Sequence, residues 1–280
     1  VPDARPSARA SSVALLVAGI ALAAACKRTE APRLRLSSAE VRGATGFPYA
    51  AYDALLREHV DGAGRVDYER LRRGREGLDR VLAFVAQVGP AARPDLYPTA
   101  EAREAFFIAA YNANVWRGVI DRHPLRTLDG VRVSFFYLTR FVVDGAETNL
   151  RDLENDRLRA TFRDARIHFA LNCASAGCPR LPAEAFVPER LDAQLDREAR
   201  RFCNEARNVS VDVAARRVRL SKIFDWYADD FVTHERALGV ADGDRITFIN
   251  RYRAHDAQVA RDFALEFDAY DWTLNAQPRP

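Results

Sequence analysis

The sequence predicts an α+β fold, a single helix-rich domain with a small, mainly antiparallel sheet. Three observations predict it. Apolar residues recur at helical steps through several long stretches, most clearly from Ala102 to Ile120. Two pairs of short alternating segments flank turn residues, the pattern of hairpins. Apolar residues make up 48% of the 280-residue chain, enough for a sizeable core.

The elements follow in chain order. From Tyr49 to Val60, Tyr52, Leu55, Leu56 and Val60 share one side of a helix, which Asp61-Gly62-Ala63-Gly64 breaks. Tyr68 to Val88 reads as one helix closed by Gly89-Pro90. In the next helix Ala105, Phe106, Ala109, Ala113, Trp116 and Ile120 recur, and His123-Pro124 stops it because a residue before proline avoids the helical region. Phe141-Val142-Val143 and Glu147-Thr148 flank Asp144-Gly145, a tight hairpin. Asn149 or Asp152 caps a helix running to Leu158. Ile167 to Leu171 is an apolar run of strand length, and Leu191 to Cys203 is an amphipathic helix. Val209 to Val213 and Val218 to Leu220 alternate as a second hairpin. Ile223 to Val232 and Asp244 to Tyr252 read as helices, and Leu265 to Tyr270 as a closing strand.

Residues 1–26 are set apart from this domain. Arg5 and Arg9 precede an apolar run from Val13 to Ala25, which ends in small residues before Cys26. That order predicts an export signal of the lipoprotein type, with Cys26 lipidated and membrane attachment through that anchor. Ordinary cleavage near Ala25 is the alternative. Residues 27–46 are expected to be a polar tether, 47–276 the globular domain and 277–280 a tail. The chain is thus expected on the periplasmic side of a bacterial membrane. A net charge of +3, with Lys only at Lys27 and Lys222, excludes the basic stripe of a nucleic-acid binder. Nothing in the sequence implies a cofactor.

Several segments together carry a family resemblance: Gly64-Arg65-Val66-Asp67-Tyr68, Ala110-Tyr111-Asn112-Ala113-Asn114, and Ile167 to Ser175 with Gly177-Cys178-Pro179. Asp225-Trp226-Tyr227 with Asp230-Phe231 and Tyr270 to Asn275 complete the set. In this order they resemble the domain-of-unknown-function 547 family, from about Tyr49 to Asn275. The resemblance implies a grouping and no activity. One departure is Leu153-Glu154-Asn155, where the family usually carries Ile-Glu-His.

Cys173 is the sharpest chemical candidate. If the chain leaves a strand and enters a helix there, converging N–H groups favour a thiolate. His168 is the nearest base in sequence, and Asn112 or Asn172 the candidate to orient a His or donate to an oxyanion. This set points to a thiol-dependent hydrolase or acyl-transferase. In the competing reading, Cys173 and Cys178 form a disulfide staple in a noncatalytic binding or scaffold domain. A buried, inert Cys173 is a further alternative. A metal site lacks a fourth ligand beside His168, Cys173 and Cys178. Asn112, Asn114 and Asn172 equally suit the satisfaction of buried backbone groups. His59 and His255 have polar helix neighbours and are expected at the surface. Asp152 and Glu154 are accounted for by a helix N-terminus. Trp226, Tyr227, Phe231 and Trp272 suit either a pocket lining or core packing. Together they also allow a third reading, an exposed aromatic patch that docks on a partner membrane protein.

Overall fold

The computed structural model describes residues 28–278, so the expected signal and Cys26 lie outside the described residues. In chain order the elements are β1 (Arg28–Glu30), α1 (Ser38–Gly43), α2 (Tyr49–His59), α3 (Tyr68–Arg73), α4 (Glu76–Gln87) and α5 (Ala100–Ile120). Then come β2 (Thr139–Val143), β3 (Ala146–Thr148) and α6, which runs through Leu150–Asp152, a π-helical stretch Leu153–Arg159 and Ala160–Phe162. The remainder is α7 (Leu191–Asn204), β4 (Val209–Asp212), β5 (Arg217–Leu220), α8 (Ile223–Trp226), α9 (Ala228–Ala237), α10 (Arg245–Tyr252) and β6 (Ala264–Phe267). The fold is α+β.

Both expected hairpins form. β2 and β3 pair antiparallel with Phe141 opposite Thr148, and Asp144 (φ 53°) and Gly145 (φ 77°) supply the two positive-φ positions of the turn. β4 and β5 pair antiparallel with Val211 opposite Val218. Each hairpin gains a third strand in parallel: β1 along β2, and β6 along β5. The result is two separate three-stranded sheets.

Two cores divide the molecule. α5 runs through the first, buried along nearly its whole length and all its faces, among Leu56, Leu71, Leu78 and Phe135. The second is aromatic, built on Phe169, Phe202, Phe224, Phe231 and Phe248. The segment between them is the 3-10 helix Ala165–Phe169, where a strand was expected. A short apolar run buried on all sides does not distinguish the two by periodicity. Here the Asp164 carboxylate accepts from Arg166 N and starts a helical turn. Ile167 and Leu171 then pack into the first core, and Ala165 and Phe169 into the second.

Other elements also differ from expectation. The expected helix from Tyr68 to Val88 is two helices, because the chain departs from helical geometry at Gly74 (φ −115°, ψ 51°). The expected Ile223 to Val232 helix is likewise split at Tyr227 (φ −111°, ψ 26°). His59 is buried rather than exposed. Its polar sequence neighbours lie on other faces of α2, while its own ring meets Trp116 edge-on at 6.2 Å.

The stretch expected to be a tether packs against the domain from Arg28 onward. β1 joins the first sheet, and Leu36 is buried with its backbone bonded both ways to the Gln87 amide. The Arg117 guanidinium, buried on α5, donates to Glu30 O at 2.9 Å and Ala31 O at 2.7 Å. Removing residues 1–32 therefore leaves a buried cation with Asp121 but without two of its acceptors. The expected cost is about 2 kcal/mol relative to removal of residues 1–27, read as a lower urea midpoint at unchanged m-value. Equal midpoints for the two truncations would show that β1 contributes nothing.

Candidate functional site

A pocket of about 610 Å³ opens where the two cores meet. Its deep wall comes from α5 (Tyr111) and from α6 (Glu154 and Arg159). His168 on the bridging 3-10 segment and the Cys173–Cys178 turn form a second side. The end of α8 and the C-terminal segment supply Trp226, Tyr227, Tyr270 and Trp272.

Glu154 sits on the π-helical stretch of α6, where Ala160 N bonds back five residues to Asn155 O. That wider turn lets Glu154, Asn155 and Arg159 all line the pocket. The Glu154 carboxylate accepts from Tyr227 Oη at 2.6 Å and, more distantly, from Tyr111 Oη at 3.5 Å. Burial, reinforced by the Glu154 charge, pushes both phenols far above the usual tyrosine range, so both remain donors. Among the described residues Glu154 forms no ion pair. A helix N-terminus thus accounts for Asp152, which bonds Asn149, but not for Glu154.

His168 Nε2 lies 2.7 Å from Asp230 Oδ2, and the His168 ring stacks on Tyr227 with centroids 3.8 Å apart. Arg159 grips the same carboxylate through Nε (2.6 Å) and Nη2 (3.1 Å), and also donates to Asn155 Oδ1. Burial raises the Asp230 carboxyl. The His168 and Arg159 hydrogen bonds outweigh it and hold the group well below the usual carboxylate range.

Cys173 and Cys178 are joined in a disulfide. No helix follows Cys173; Ala174 takes a left-handed conformation (φ 66°) and turns the chain into a loop. The expected helix N-terminus beneath the sulfur is therefore absent at this position. Cys173 N donates instead to Cys178 Sγ at 2.9 Å, and Tyr270 Oη lies 3.2 Å from each sulfur. Cys203 is a buried free thiol in the aromatic core. Because five positions separate the bonded cysteines, chain entropy alone gives the link about 2 kcal/mol. Cys173→Ser and Cys178→Ser are each expected to lower stability by that amount. Alkylation of the native, unreduced protein should leave both cysteines unmodified in the peptide map. Rapid labelling of Cys173 alone would contradict the pairing.

The two candidate asparagines are scaffold. Asn112 donates to Ala170 O at 2.9 Å and accepts from Asn172 N at 2.9 Å, fixing the bridging segment onto α5. Asn172 donates to Pro179 O (2.8 Å) and accepts from Ala174 N (3.0 Å) and the Asn275 amide (3.0 Å). Neither lines this pocket. Asn114 turns back to its own helix, donating to Ala110 O. His168 and Cys173 do share the pocket. The polar residues that sequence reasoning passed over are Tyr111, Arg159, Asp230 and Tyr270. Three of them stand inside the segments that carry the family resemblance, which was the available signal. Among the described residues no group of three or more His, Cys, Asp or Glu converges as metal ligands.

The fold and pocket define an α+β domain with an aromatic, arginine-bearing cavity beside a disulfide turn. Residues 97–203 match the family model described as "Protein of unknown function, DUF547". The matched stretch contains Tyr111, Glu154, Arg159, His168 and both bonded cysteines, but not the wall formed by residues 226–272. No curated protein and no solved structure matches the chain.

Proposed function

We propose that this is a noncatalytic ligand-binding domain of the bacterial envelope. The observation that carries the reading is the pocket. Its polar groups are oriented by other protein groups, Glu154 by Tyr227 and His168 by Asp230, while both of its sulfurs are joined to each other. Pre-orientation of this kind lowers the entropy cost of capturing a small molecule. The order of residues 1–26, basic then apolar then small before Cys26, supports export and attachment to the membrane through a lipid on Cys26. Among the described residues no helix is long and apolar enough to cross a membrane.

The test is retention of a small molecule from a bacterial envelope extract, detected by mass spectrometry after unfolding. Wild-type protein should retain a compound that Trp226→Ala and Glu154→Ala lose. Equal retention by all three, or none by wild type, would remove the reading. For the anchor, a mature N-terminus at Cys26 carrying lipid is expected; an unmodified N-terminus in a soluble periplasmic fraction would remove it.

A thiol-dependent acyl-transfer reading has one observation in its favour, the shared placement of Cys173 and His168. It requires the disulfide to be reduced first. Reduced protein should then be acylated at Cys173 by p-nitrophenyl acetate with release of p-nitrophenolate, and His168→Gln should slow the reaction. Absence of acylation in the reduced, folded protein would end that alternative.

A further inference from the structure

We infer, building on the ligand-binding reading, that the ligand is a hydroxylated, sugar-like ring bearing a carboxylate or phosphate group. Three features of the pocket lead there independently.

The first is charge. The lining carries Arg132, Arg151 and Arg159 against the single carboxylate of Glu154. Arg159 is committed to Asp230. Arg132 and Arg151 are half-exposed, and their closest approaches to a carboxylate are 3.3 Å to Asp129 and 3.4 Å to Asp152. Neither aspartate lines the pocket. Each guanidinium lies over an aromatic ring, Arg132 over Trp272 at 4.8 Å and Arg151 over Tyr137 at 5.6 Å. Stacking orients the guanidinium plane while its remaining N–H groups stay available to an anion. Low-dielectric aromatic walls strengthen the field that an entering anion meets.

The second is the aromatic surface. Trp226, Tyr270 and Trp272 pack with centroids 4.6 to 5.8 Å apart, and Trp226 remains 44% exposed. Large aromatic faces left open to solvent suit the C–H face of a saturated ring, which is apolar while its rim is hydroxylated.

The third is Glu154. Its two oxygens accept from Tyr227 and Tyr111 and keep further lone pairs for ligand hydroxyls. It also repels an anion, so the ligand's hydroxyls pair with Glu154 and its charged group with Arg132 and Arg151. A purely apolar acid would desolvate Glu154 and leave its further lone pairs unmet, and a neutral sugar would make no use of the remaining N–H groups of the two arginines.

Intrinsic fluorescence reports directly on occupancy, because the chain has three tryptophans and two of them, Trp226 and Trp272, line the pocket. The full chain is titrated with glucose 6-phosphate, glucuronate, glucose and inorganic phosphate. At least one of the two anionic sugars should give a saturable change at a tenfold or more lower concentration than glucose or inorganic phosphate. Which one is tighter identifies the charged group. The Arg132→Ala, Arg151→Ala double variant, shown to be folded by circular dichroism, should bind the anionic sugars no better than glucose. Glu154→Gln should weaken both anionic sugars and should not weaken inorganic phosphate. Glucose binding as tightly as the anionic sugars, an unaffected double variant, or no saturable change with any probe would each overturn the inference. The ligand-binding reading itself falls only if retention from the envelope extract fails as well.

Discussion

Phe231→Ala is expected to lower stability by about 4 kcal/mol, the largest effect of any substitution considered near the site. Phe231 is fully buried at the centre of the aromatic core. Its ring lies 4.8 Å from that of Phe248, 5.2 Å from Phe224 and 6.2 Å from Phe169, each on a different element. Truncation removes the hydrophobic transfer energy of the ring and leaves a cavity that three separate elements must collapse to fill. The same ring stands 5.8 Å from His168 and directly follows Asp230 in sequence. The loss therefore reaches the pocket as well as the fold. Phe231→Leu, which fills most of the space, should recover more than half of the stability. Urea unfolding followed by circular dichroism measures both. A Phe231→Ala midpoint within 1 kcal/mol of wild type by that measurement would mean that this core relaxes freely, and the two-core description would be wrong.

Asp230→Ala is expected to cost about 2 to 3 kcal/mol and to weaken ligand binding tenfold or more. The carboxylate holds the buried His168 and the half-buried Arg159 together, and its removal leaves two polar groups without their acceptor. The pH dependence has a defined sign. The folded-state pKa of Asp230 lies below the unfolded value. Between the two values the unfolded chain binds more protons, so stability rises with pH there. The Asp230 contribution is fully present above about pH 4, the ordinary aspartate range. It is lost as pH falls through the lower folded value. The stability gap between wild type and Asp230→Ala should therefore be constant from pH 5 to 7 and should narrow below pH 4. A gap that stays unchanged down to pH 3 would show that Asp230 is not held in its charged form.

Much of the local structure is legible in the chain because its causes are local. The Asp144-Gly145 turn forms as read because those two residues tolerate positive φ, and α5 forms because its apolar residues recur at helical steps. The two hairpins needed no information from elsewhere. Where a residue's role depends on a distant partner, the sequence was silent. Glu154 reads as an ordinary helix N-terminal acid until Tyr227, 73 positions away, is placed against it. Asp230 stands in a family segment with no role of its own until α9 packs on the bridging segment and sets it beside His168, 62 positions earlier. The register of a few polar contacts across such separations is decided by how whole elements pack.

By itself, then, the sequence determined the fold class, the hairpins, the long central helix and the family segments. Periodicity, turn chemistry and composition act over neighbouring residues, and a single chain carries them in full. Only the tertiary structure decided that Ile167 to Leu171 belongs to a helical bridge and not a strand, because that run is buried by two cores at once. It also decided that β1 and residues 31–36 belong to the domain, because their partners, Arg117, Gln87 and β2, lie fifty or more positions away. The pocket is tertiary in the same sense. Its walls come from six parts of the chain, and no local pattern records that burying two hydrophobic cores side by side leaves an aromatic, charged cavity between them.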